Sequence, residues 1–246
     1  MCVSATQFSS NEFDCAYPPG IERHFWTVAR CQIVADALDS LPGRGGRILE
    51  IGCGRGIVVA KLRDQSFDCF GVELADAHVP PSVARFVTTA TDARQLPAEF
   101  RAEVRTVLLL DVIEHLADPA ALISQIVEYY PSIHHLIATV PARRELWSNY
   151  DEFYRHYRRY DLTGLRETLA RAGLKLVHVA YFFHLLYPLM LLAKLGKSRA
   201  IKLKPPGRWA SLLHKGFAQI LYWDSTLLAG ALYGTSAIAI AKKDLG

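Results

Sequence analysis

Residues Arg47 to Gly56 read RILEIGCGRG, and this stretch decides the fold. Its apolar part, Ile48–Ile51, is a short run of the kind that forms a buried strand of a parallel sheet. The glycines that follow let the backbone turn sharply, and they let a ligand lie directly on the main chain. Ile57–Leu62 then predicts a helix whose N-terminus faces that ligand. Open α/β sheets bind their ligands at this place, beyond the carboxyl ends of the strands.

The spacing of the glycines indicates what kind of ligand to expect. The dinucleotide fingerprint is G-x-G-x-x-G, with a pyrophosphate on the helix N-terminus. Here the glycines are Gly52, Gly54 and Gly56, and Ile57 stands where the third glycine of that fingerprint belongs. Glu50, two residues before the first glycine, would repel a diphosphate. A ligand that carries an ammonium or sulfonium group suits this carboxylate better.

Two motifs resemble those of the class I S-adenosylmethionine-dependent methyltransferases. Residues 50–56 resemble their first motif, E/D-x-G-x-G-x-G, and DVIEHLADP at 111–119 resembles the fourth motif of many small-molecule methyltransferases. The resemblance implies a Rossmann-like α/β fold: a mostly parallel seven-stranded sheet, an antiparallel last strand and helices on both faces. It also implies S-adenosylmethionine as cofactor. The implied cofactor-binding residues are Glu50, Gly52, Cys53, Gly54, Gly56, Glu73, Leu74, Asp92, Ala93, Asp111 and Val112.

Three of these positions have distinct expected roles. Glu73 closes a strand about 20 residues beyond the glycines, where an acidic side chain accepts hydrogen bonds from ribose hydroxyls; a solvent-facing glutamate is the alternative. Asp92 contacts the adenine amino group by resemblance, and the alternative is an ordinary surface turn. Asp111 lies beside the methionine part of the cofactor by the same resemblance.

Strands and helices alternate along the chain, which predicts a parallel sheet covered on both faces. The predicted strands are 48–51, 68–73, 85–89, 105–111, 134–140, 175–182 and Ser236–Ala241; the predicted helices are Glu22–Leu41, 56–64, 118–129 and one that begins after the N-cap Asp161 and stops at Gly173. Residues 1–20 are expected to be a flexible tail or lid, and 21–246 one methyltransferase domain. Within that domain we expect a substrate-pocket loop at about 141–160 and a helical insertion at about 185–230.

Composition and charge limit the class of protein. The chain has 246 residues, of which 51% are hydrophobic and 21% charged, so a full core can form. A net charge of +4 permits an anionic partner without requiring nucleic acid. Five cysteines without metal spacing indicate free thiols in a reducing compartment, and no signal peptide is predicted. We therefore expect a soluble, cytoplasmic enzyme of unknown oligomeric state.

Two histidines are the candidate catalytic residues, because transfer to a hydroxyl requires the removal of one proton. His115 follows the fourth strand, and His156 belongs to the predicted pocket loop; a purely structural role for His115 is the alternative. The string around Glu114 and His115 also resembles the E-x-x-E-H metal site of small-RNA 2′-O-methyltransferases and some quinone-pathway O-methyltransferases. In that alternative Asp111 would join them, with His156 as the distant ligand. The expectation remains that no metal is bound.

The acceptor site is expected around LWSNYDEFYRHYRRYD, residues 146–161, which resembles a segment of a bacterial subgroup similar to the type 11 and type 12 methyltransferases. Arg155 stands where that subgroup has a glycine. The N-terminal helix carries a second resemblance to the same subgroup. The candidate substrate-binding residues are Trp26, Arg30, Trp147, Arg158 and Tyr160.

The apolar stretch Tyr181–Ala193 is followed by scattered cations: Lys194, Lys197, Arg199, Lys202, Lys204 and Arg208. Such a pattern predicts contact with a membrane surface or an amphiphilic substrate. A buried stretch beside a solvated basic surface is the alternative.

The sequence as a whole predicts a methyltransferase that acts on an oxygen or nitrogen of a small molecule, such as a secondary metabolite, a glycan or a lipid-linked compound. Nucleic acid is not expected as a partner. The alternatives are an RNA 2′-O-methyltransferase that uses a divalent metal, and a S-adenosylmethionine-binding protein that activates a partner without turnover.

Overall fold

The computed structural model describes residues 10–194, 204–207, 209–228 and 232–243. Its strands are β1 Arg47–Ile51, β2 Cys69–Val72, β3 Val87–Thr88, β4 Val104–Leu110, β5 His135–Pro141, β6 Leu174–Phe182 and β7 Ser236–Lys243. They form one seven-stranded sheet in the order β3-β2-β1-β4-β5-β7-β6. The first five run parallel, and β7 lies antiparallel to both β5 and β6. The predicted Rossmann-like sheet with an antiparallel last strand is confirmed.

The helices are α1 Ser10–Ala16, α2 Phe25–Asp39, α3 Ile57–Asp64, α4 Ala98–Glu103, α5 Pro119–Tyr129, α6 Asn149–Phe153, α7 Leu162–Arg171, α8 Leu186–Ala193 and α9 Ala210–Leu227. Both predicted ends of α7 are confirmed. The Asp161 carboxylate accepts a hydrogen bond from the Gly164 amide at 2.6 Å, and Gly173 ends the helix with φ +77°. Both α8 and α9 belong to the predicted insertion between the last two strands, of which residues 195–203, 208 and 229–231 lie outside the described part.

Alternating side chains of the strands feed two cores, one on each face of the sheet. In β4, Val107 and Leu109 pack against α5 and α7, whereas Leu108 and Leu110 pack on the face covered by α2, α3 and α9. Because both faces are covered, the ligand-binding edge is left at the carboxyl ends of the strands. The chain turns from β1 to β2 on one side and reaches β4 on the other, so a crevice opens beyond β1.

Two predicted elements have different bounds in the structure. Helix α2 begins at Phe25 and not at Glu22, because the His24 ring caps it by accepting from the Trp26 amide at 3.3 Å. The predicted strand 85–89 shrinks to two residues, since Ala84–Phe86 form a 3-10 turn.

The N-terminal tail was expected to have little structure, and this is wrong for its described part, which contains α1. Phe13 of α1 is buried against Ala75 and Ala77. Residues 1–9 lie outside the described part. Within the described residues, no helix is both long and apolar enough to cross a membrane.

Candidate active site

A cavity of about 460 Å³ opens at the carboxyl ends of β1, β2 and β4. Its volume falls in the range of small-molecule and cofactor sites. Thirteen of the candidate site residues line it: Trp26, Arg30, Glu50, Gly52, Cys53, Glu73, Leu74, Asp92, Ala93, Asp111, Val112, His115 and His156. The sheet therefore brings together residues that are up to 130 positions apart in the sequence.

The glycine loop after β1 has the left-handed backbone that its sequence predicts. Gly52, Gly54 and Gly56 have φ values of +77°, +57° and +73°. A Cβ at Gly52 would lie 2.8 Å from Val112, and one at Gly54 would lie 2.5 Å from the Tyr17 ring. Gly54 and Gly56 do not themselves line the cavity. They shape it through the turn and through close packing.

Glu50 places a carboxylate inside the cavity wall. It is buried, and its Oε2 atom has no hydrogen-bond partner. Burial raises the pKa of this carboxyl to about 8, although the nearby Arg30 guanidinium opposes the shift. A buried carboxylate with an unsatisfied oxygen is a ready partner for a cationic group of a ligand.

Glu73 is oriented by the main chain. Its Oε2 accepts from the Gly54 amide at 2.9 Å, and its Oε1 accepts from the Ala75 amide at 3.0 Å. Each carboxylate oxygen keeps a further lone pair, so the group can still accept from vicinal hydroxyls at the cavity wall. The glycine loop and the acidic residue after β2 are thus one hydrogen-bonded unit.

Asp92 and Ala93 form the far wall of the cavity. Both Asp92 oxygens accept hydrogen bonds from Arg94, which lowers the pKa of the aspartate. The Ala93 carbonyl accepts from the Tyr130 hydroxyl at 2.6 Å. The Asp92 carboxylate therefore lines the cavity while it is held in place by Arg94.

These residues fit S-adenosylmethionine. The unsatisfied Glu50 oxygen suits the ammonium end, the cavity beside the glycine loop leaves room for the nucleoside, and the oriented Glu73 carboxylate suits ribose hydroxyls. Glu50 and Glu73 both lie beside the loop and would repel a diphosphate there. The donor set therefore agrees with the ligand expected from the sequence.

Glu50→Gln is expected to have opposite effects on stability and on ligand binding. Because the folded chain keeps the Glu50 proton up to about pH 8 and the unfolded chain releases it near 4.5, stability is lost as the pH rises through this interval. The amide removes that loss, so the melting temperature without ligand should exceed that of the wild type at pH 8. Affinity for S-adenosylhomocysteine at pH 8 should fall about tenfold, because the amide cannot release a proton and form an ion pair with the ammonium group of the ligand. Differential scanning fluorimetry and calorimetric titration measure the two effects; equal affinity in both proteins would contradict this role of Glu50.

Arg30, a candidate substrate-binding residue, lines the cavity but has a partner within the protein. It forms an ion pair with Asp111, and its guanidinium stacks 4.6 Å above the Trp26 ring. Asp111 adopts φ +57°, which is strained for a residue with a side chain, and its amide donates to the Thr139 carbonyl at 2.9 Å. Because Arg30 and Asp111 neutralise each other at the cavity, a charged group of a ligand that binds either of them competes with this ion pair.

His115 and His156 meet at the cavity with ring centroids 4.7 Å apart. The His115 Nδ1 atom donates to the Tyr154 carbonyl at 2.9 Å, and the His156 Nδ1 atom donates to the Asp151 carboxylate at 2.9 Å. These bonds select the tautomer, which puts the lone pair of each neutral ring on Nε2. Burial, and then the neighbouring His156, lower the pKa of His115 to about 4.

Asp151 is the anchor behind His156, and it was not among the candidate site residues. It is fully buried and accepts from the Ser148 amide, from the His156 ring and from the Arg159 guanidinium at 2.8–2.9 Å. Burial would raise its pKa, but the bonds from His156 and Arg159 outweigh this and hold it at about 2. The spacing Ser148-x-x-Asp151, a capping box at the start of α6, is the sequence pattern that could have identified it.

The low pKa of His115 predicts a pH-dependent stability. Between about pH 4 and 6.5 the unfolded chain binds a proton at this ring that the folded chain excludes, so the free energy of unfolding falls as the pH is lowered through this interval. At pH 5 the loss should amount to about 2 kcal/mol. His115→Gln should remove this part of the pH dependence. The measurement is the free energy of unfolding from urea denaturation at pH 7 and at pH 5. If the free energy of unfolding changed equally between pH 7 and pH 5 in the variant and the wild type, the burial of a neutral His115 ring would be contradicted.

Glu114 is the third titratable group of this cluster. Ligand atoms of Glu114, His115 and His156 all lie within 4.8 Å of one another, so these side chains could hold a metal ion. Burial raises the pKa of Glu114 well above its usual range, and its Oε2 atom has no partner. Asp111, the further ligand of the metal alternative, is instead engaged by Arg30.

Three of the predicted substrate-binding residues do not line the cavity. Arg158 donates to the Leu116 and Ala117 carbonyls at 3.1 and 2.7 Å, and buried Tyr160 donates to the Ile113 carbonyl at 3.4 Å. Trp147 ends a 3-10 turn outside the cavity. The loop turns Arg158 and Tyr160 back onto the 3-10 turn Ile113–His115 that follows β4 and onto the residues just after that turn. Arg158 and Tyr160 thus hold the loop in place, and contact of the three residues with a substrate stays a prediction.

The N-terminal segment closes the site from the other side. Arg155 pairs with Glu12 of α1, and Arg55 binds both Asp14 at 3.1 Å and the Tyr17 carbonyl at 2.8 Å. Arg155, which stands where the similar subgroup has a glycine, has φ +55°, a left-handed backbone conformation that favours glycine. Nothing local in the sequence indicated that Tyr17 would reach the glycine loop.

Comparison with known proteins gives one family and a set of related folds. A family model described as a methyltransferase domain matches residues 23–179. The ubiquinone biosynthesis O-methyltransferase of Pseudomonas aeruginosa (strain UCBPP-PA14) is 34% identical over 88 residues, which span 32% of this chain and 37% of that protein. The chain thus matches little more than a third of the length of this curated relative.

Solved structures share the fold across nearly the whole chain. A S-adenosylmethionine-dependent methyltransferase from Thermotoga maritima is 19% identical, with a TM-score of 0.57, and the match covers 94% of this chain and 99% of that one. The magnesium protoporphyrin IX methyltransferase of Synechocystis PCC 6803, solved with bound S-adenosylhomocysteine, is 16% identical with a TM-score of 0.51; the match covers 97% of this chain and 90% of that one.

Proposed function

The chain belongs to the methyltransferase domain family and is a S-adenosylmethionine-dependent methyltransferase, and from this premise we propose that it methylates a hydroxyl oxygen of a ring-bearing small molecule. The observation that carries the proposal is the pair His115 and His156 at the cavity, each with its Nδ1 atom donating to the protein. A hydroxyl acceptor needs a base, whereas an amine in its neutral form can attack without one.

The residues proposed to hold the cofactor form a continuous wall. Glu50 would face the ammonium group, Glu73 the ribose hydroxyls, and Asp92 with Ala93 the adenine. Bound there, the cofactor supplies a methyl group on a sulfonium that is already an activated leaving group. The protein is left with two tasks, which are alignment of the acceptor and transfer of one proton.

His156 is the better suited of the two histidines to take that proton. Its Nε2 atom accepts the hydroxyl proton while Asp151, bonded to Nδ1, stabilises the imidazolium that forms. His115, with a pKa of about 4, stays neutral at physiological pH and is a weak base. Its ring, packed 4.7 Å from His156, would bind the acceptor and limit its orientation.

The cavity favours an acceptor with an aromatic or quinone-like ring. Trp26, Tyr150 and Tyr154 line it together with the histidines, and Arg30 adds a charge that Asp111 shares. The curated relatives are named ubiquinone biosynthesis O-methyltransferases, which is consistent with a ring hydroxyl. A nitrogen acceptor and other classes of small molecule are outcomes of the test.

The test is a panel of acceptors with S-adenosylmethionine labelled in its methyl group. Alkylated catechols, matched anilines and total RNA are incubated separately with the enzyme, and the products are identified by mass spectrometry. Methylation of a catechol oxygen supports the proposal. Labelling of anilines alone or of RNA alone would overturn it, and binding of the cofactor without transfer to any acceptor would favour a non-catalytic partner protein.

A second candidate is metal-assisted transfer at the same site, favoured by the cluster of Glu114, His115 and His156. A divalent cation there would lower the pKa of the acceptor hydroxyl in place of a histidine base. The two candidates differ in their response to EDTA. A metal-assisted reaction is lost on chelation and restored by Mg²⁺ or Mn²⁺, whereas the histidine mechanism is unaffected.

A further inference from the structure

Helix α9 carries an apolar stripe on the side that faces solvent. Its buried residues, among them Ala218 and Leu221, pack against α2 and the sheet. At three- and four-residue spacing on the opposite side lie Trp209, just before the helix, and Leu213, Ile220, Trp223 and Leu227, which are 48–90% exposed. A surface helix normally presents polar residues on this side.

Helix α8 belongs to the same insertion and is apolar throughout. None of its residues is buried, and Leu189, Leu191 and Leu192 are 42–65% exposed. We call the exposed side chains of α8 and α9 together the apolar helix surface. The Leu185 amide, just before α8, donates to Asp224 of α9 at 3.2 Å, so the two helices meet at this point. Exposed apolar side chains on neighbouring helices mark an interaction site.

The charge of the segment identifies the kind of partner. Residues 185–233 contain seven Lys and Arg and one acidic residue, Asp224, which leaves 21 basic and 23 acidic residues in the rest of the chain. Asp224 is buried and accepts from the Leu185 amide at 3.2 Å. The described cations Lys194, Lys204 and Lys215 are exposed; Lys197, Arg199, Lys202 and Arg208 lie outside the described part.

From these observations we propose that the apolar helix surface docks on an anionic lipid bilayer. Apolar side chains that insert at the interface, flanking lysines that meet lipid phosphates, and tryptophans at the boundary are the features such a surface requires. A second copy of the chain is the less suitable occupant, because a symmetric contact would bring two strongly basic segments together.

The docking surface adjoins the active-site cavity. Leu186 and Met190 of α8 line the cavity, and Leu189 of the same helix lies on the apolar helix surface. An amphiphilic acceptor held in the bilayer could therefore reach the cavity along α8. This route rests on the proposed function, whereas the docking itself does not.

The experiment is sedimentation of the full chain with two kinds of vesicle, phosphatidylcholine alone and phosphatidylcholine mixed with phosphatidylglycerol. We expect the chain to partition at least about tenfold more strongly onto the anionic vesicles, and less so at high salt. The double variant Leu213→Gln/Trp223→Gln should partition onto the anionic vesicles at least about tenfold more weakly than the wild type. Val177→Gln, which removes a 54% exposed apolar side chain on β6, is the matched control and should bind as the wild type does.

Absence of sedimentation with anionic vesicles, or equal partitioning of the α9 variant and the wild type, would overturn the proposal. So would a stable dimer in light scattering that the α9 variant dissociates, since the surface would then be a contact between copies. Titration with S-adenosylhomocysteine verifies that each variant is folded. Because sedimentation needs neither cofactor nor acceptor, its failure is separate from a failure of the proposed function.

Discussion

Replacing Gly54 by alanine should weaken the binding of S-adenosylhomocysteine at least about 100-fold, which corresponds to about 2.7 kcal/mol. The new Cβ would lie 2.5 Å from both the Cζ and the hydroxyl oxygen of Tyr17, and the backbone there has φ +57°. Relief of this contact must move either Tyr17 or the loop. If the loop moves, the Gly54 amide no longer orients Glu73. Calorimetric titration with the homocysteine product measures the loss.

Gly173→Ala is the matched control for this variant. Gly173 ends α7 with φ +77°, so alanine meets the same kind of backbone strain, but no atom lies within 4 Å of the added Cβ. Each variant should lose about 1–2 kcal/mol of stability from the left-handed backbone. Only Gly54→Ala should lose affinity for the ligand. Equal affinities in both variants would mean that the glycine loop does not shape the cofactor site.

His156→Gln should lower kcat at least about 100-fold towards the acceptor found in the panel, because the side chain that takes the hydroxyl proton is gone. Affinity for S-adenosylhomocysteine should stay within about twofold, since the ring belongs to the loop over the cavity and not to the glycine loop. Glutamine can keep the hydrogen bond to Asp151, which protects the ion pair of that carboxylate with Arg159. Steady-state kinetics at saturating cofactor measure the effect.

The control is His134→Gln, an exposed histidine just before β5, at the edge of the sheet opposite the cavity. It should leave kcat unchanged. If His156→Gln kept the wild-type kcat in the presence of EDTA, His156 would be neither the base nor a metal ligand in the reaction.

The sequence predicted best what depends on short segments. β1, the glycine turn and the start of α3 are contiguous, and their apolar run and glycines allow little else, because only this backbone buries the run and turns at once. The same holds for Asp161 as the N-cap of α7, whose partner lies three residues away. Glu50 followed from its place within β1, and Glu73 followed from the strand β2 that precedes it.

Residues on the loop beyond β5 could not be assigned in the same way. Trp147, Arg158 and Tyr160 belong to the matched motif, as His156 does, yet only His156 faces the cavity. The direction of each side chain depends on how α6, the turn at Arg155 and the buried Asp151 pack on the rest of the chain. The capping box marks the start of α6 in the sequence, but it does not specify that packing. A motif match therefore identified the segment and not its facing residues.

The sequence by itself determined the order of the strands and of the helices of eight or more residues, and its two motifs indicated the class of cofactor and the acidic residues and glycines beside it. Each of these is encoded within a short segment. The short helices α1, α4 and α6 were not predicted. Only the tertiary structure decided that Arg30 neutralises Asp111, that Tyr17 covers Gly54 and that His115 meets His156. These contacts join residues 37–81 positions apart. Their distances are set by how whole elements pack on the sheet, and local sequence patterns carry no information about that packing.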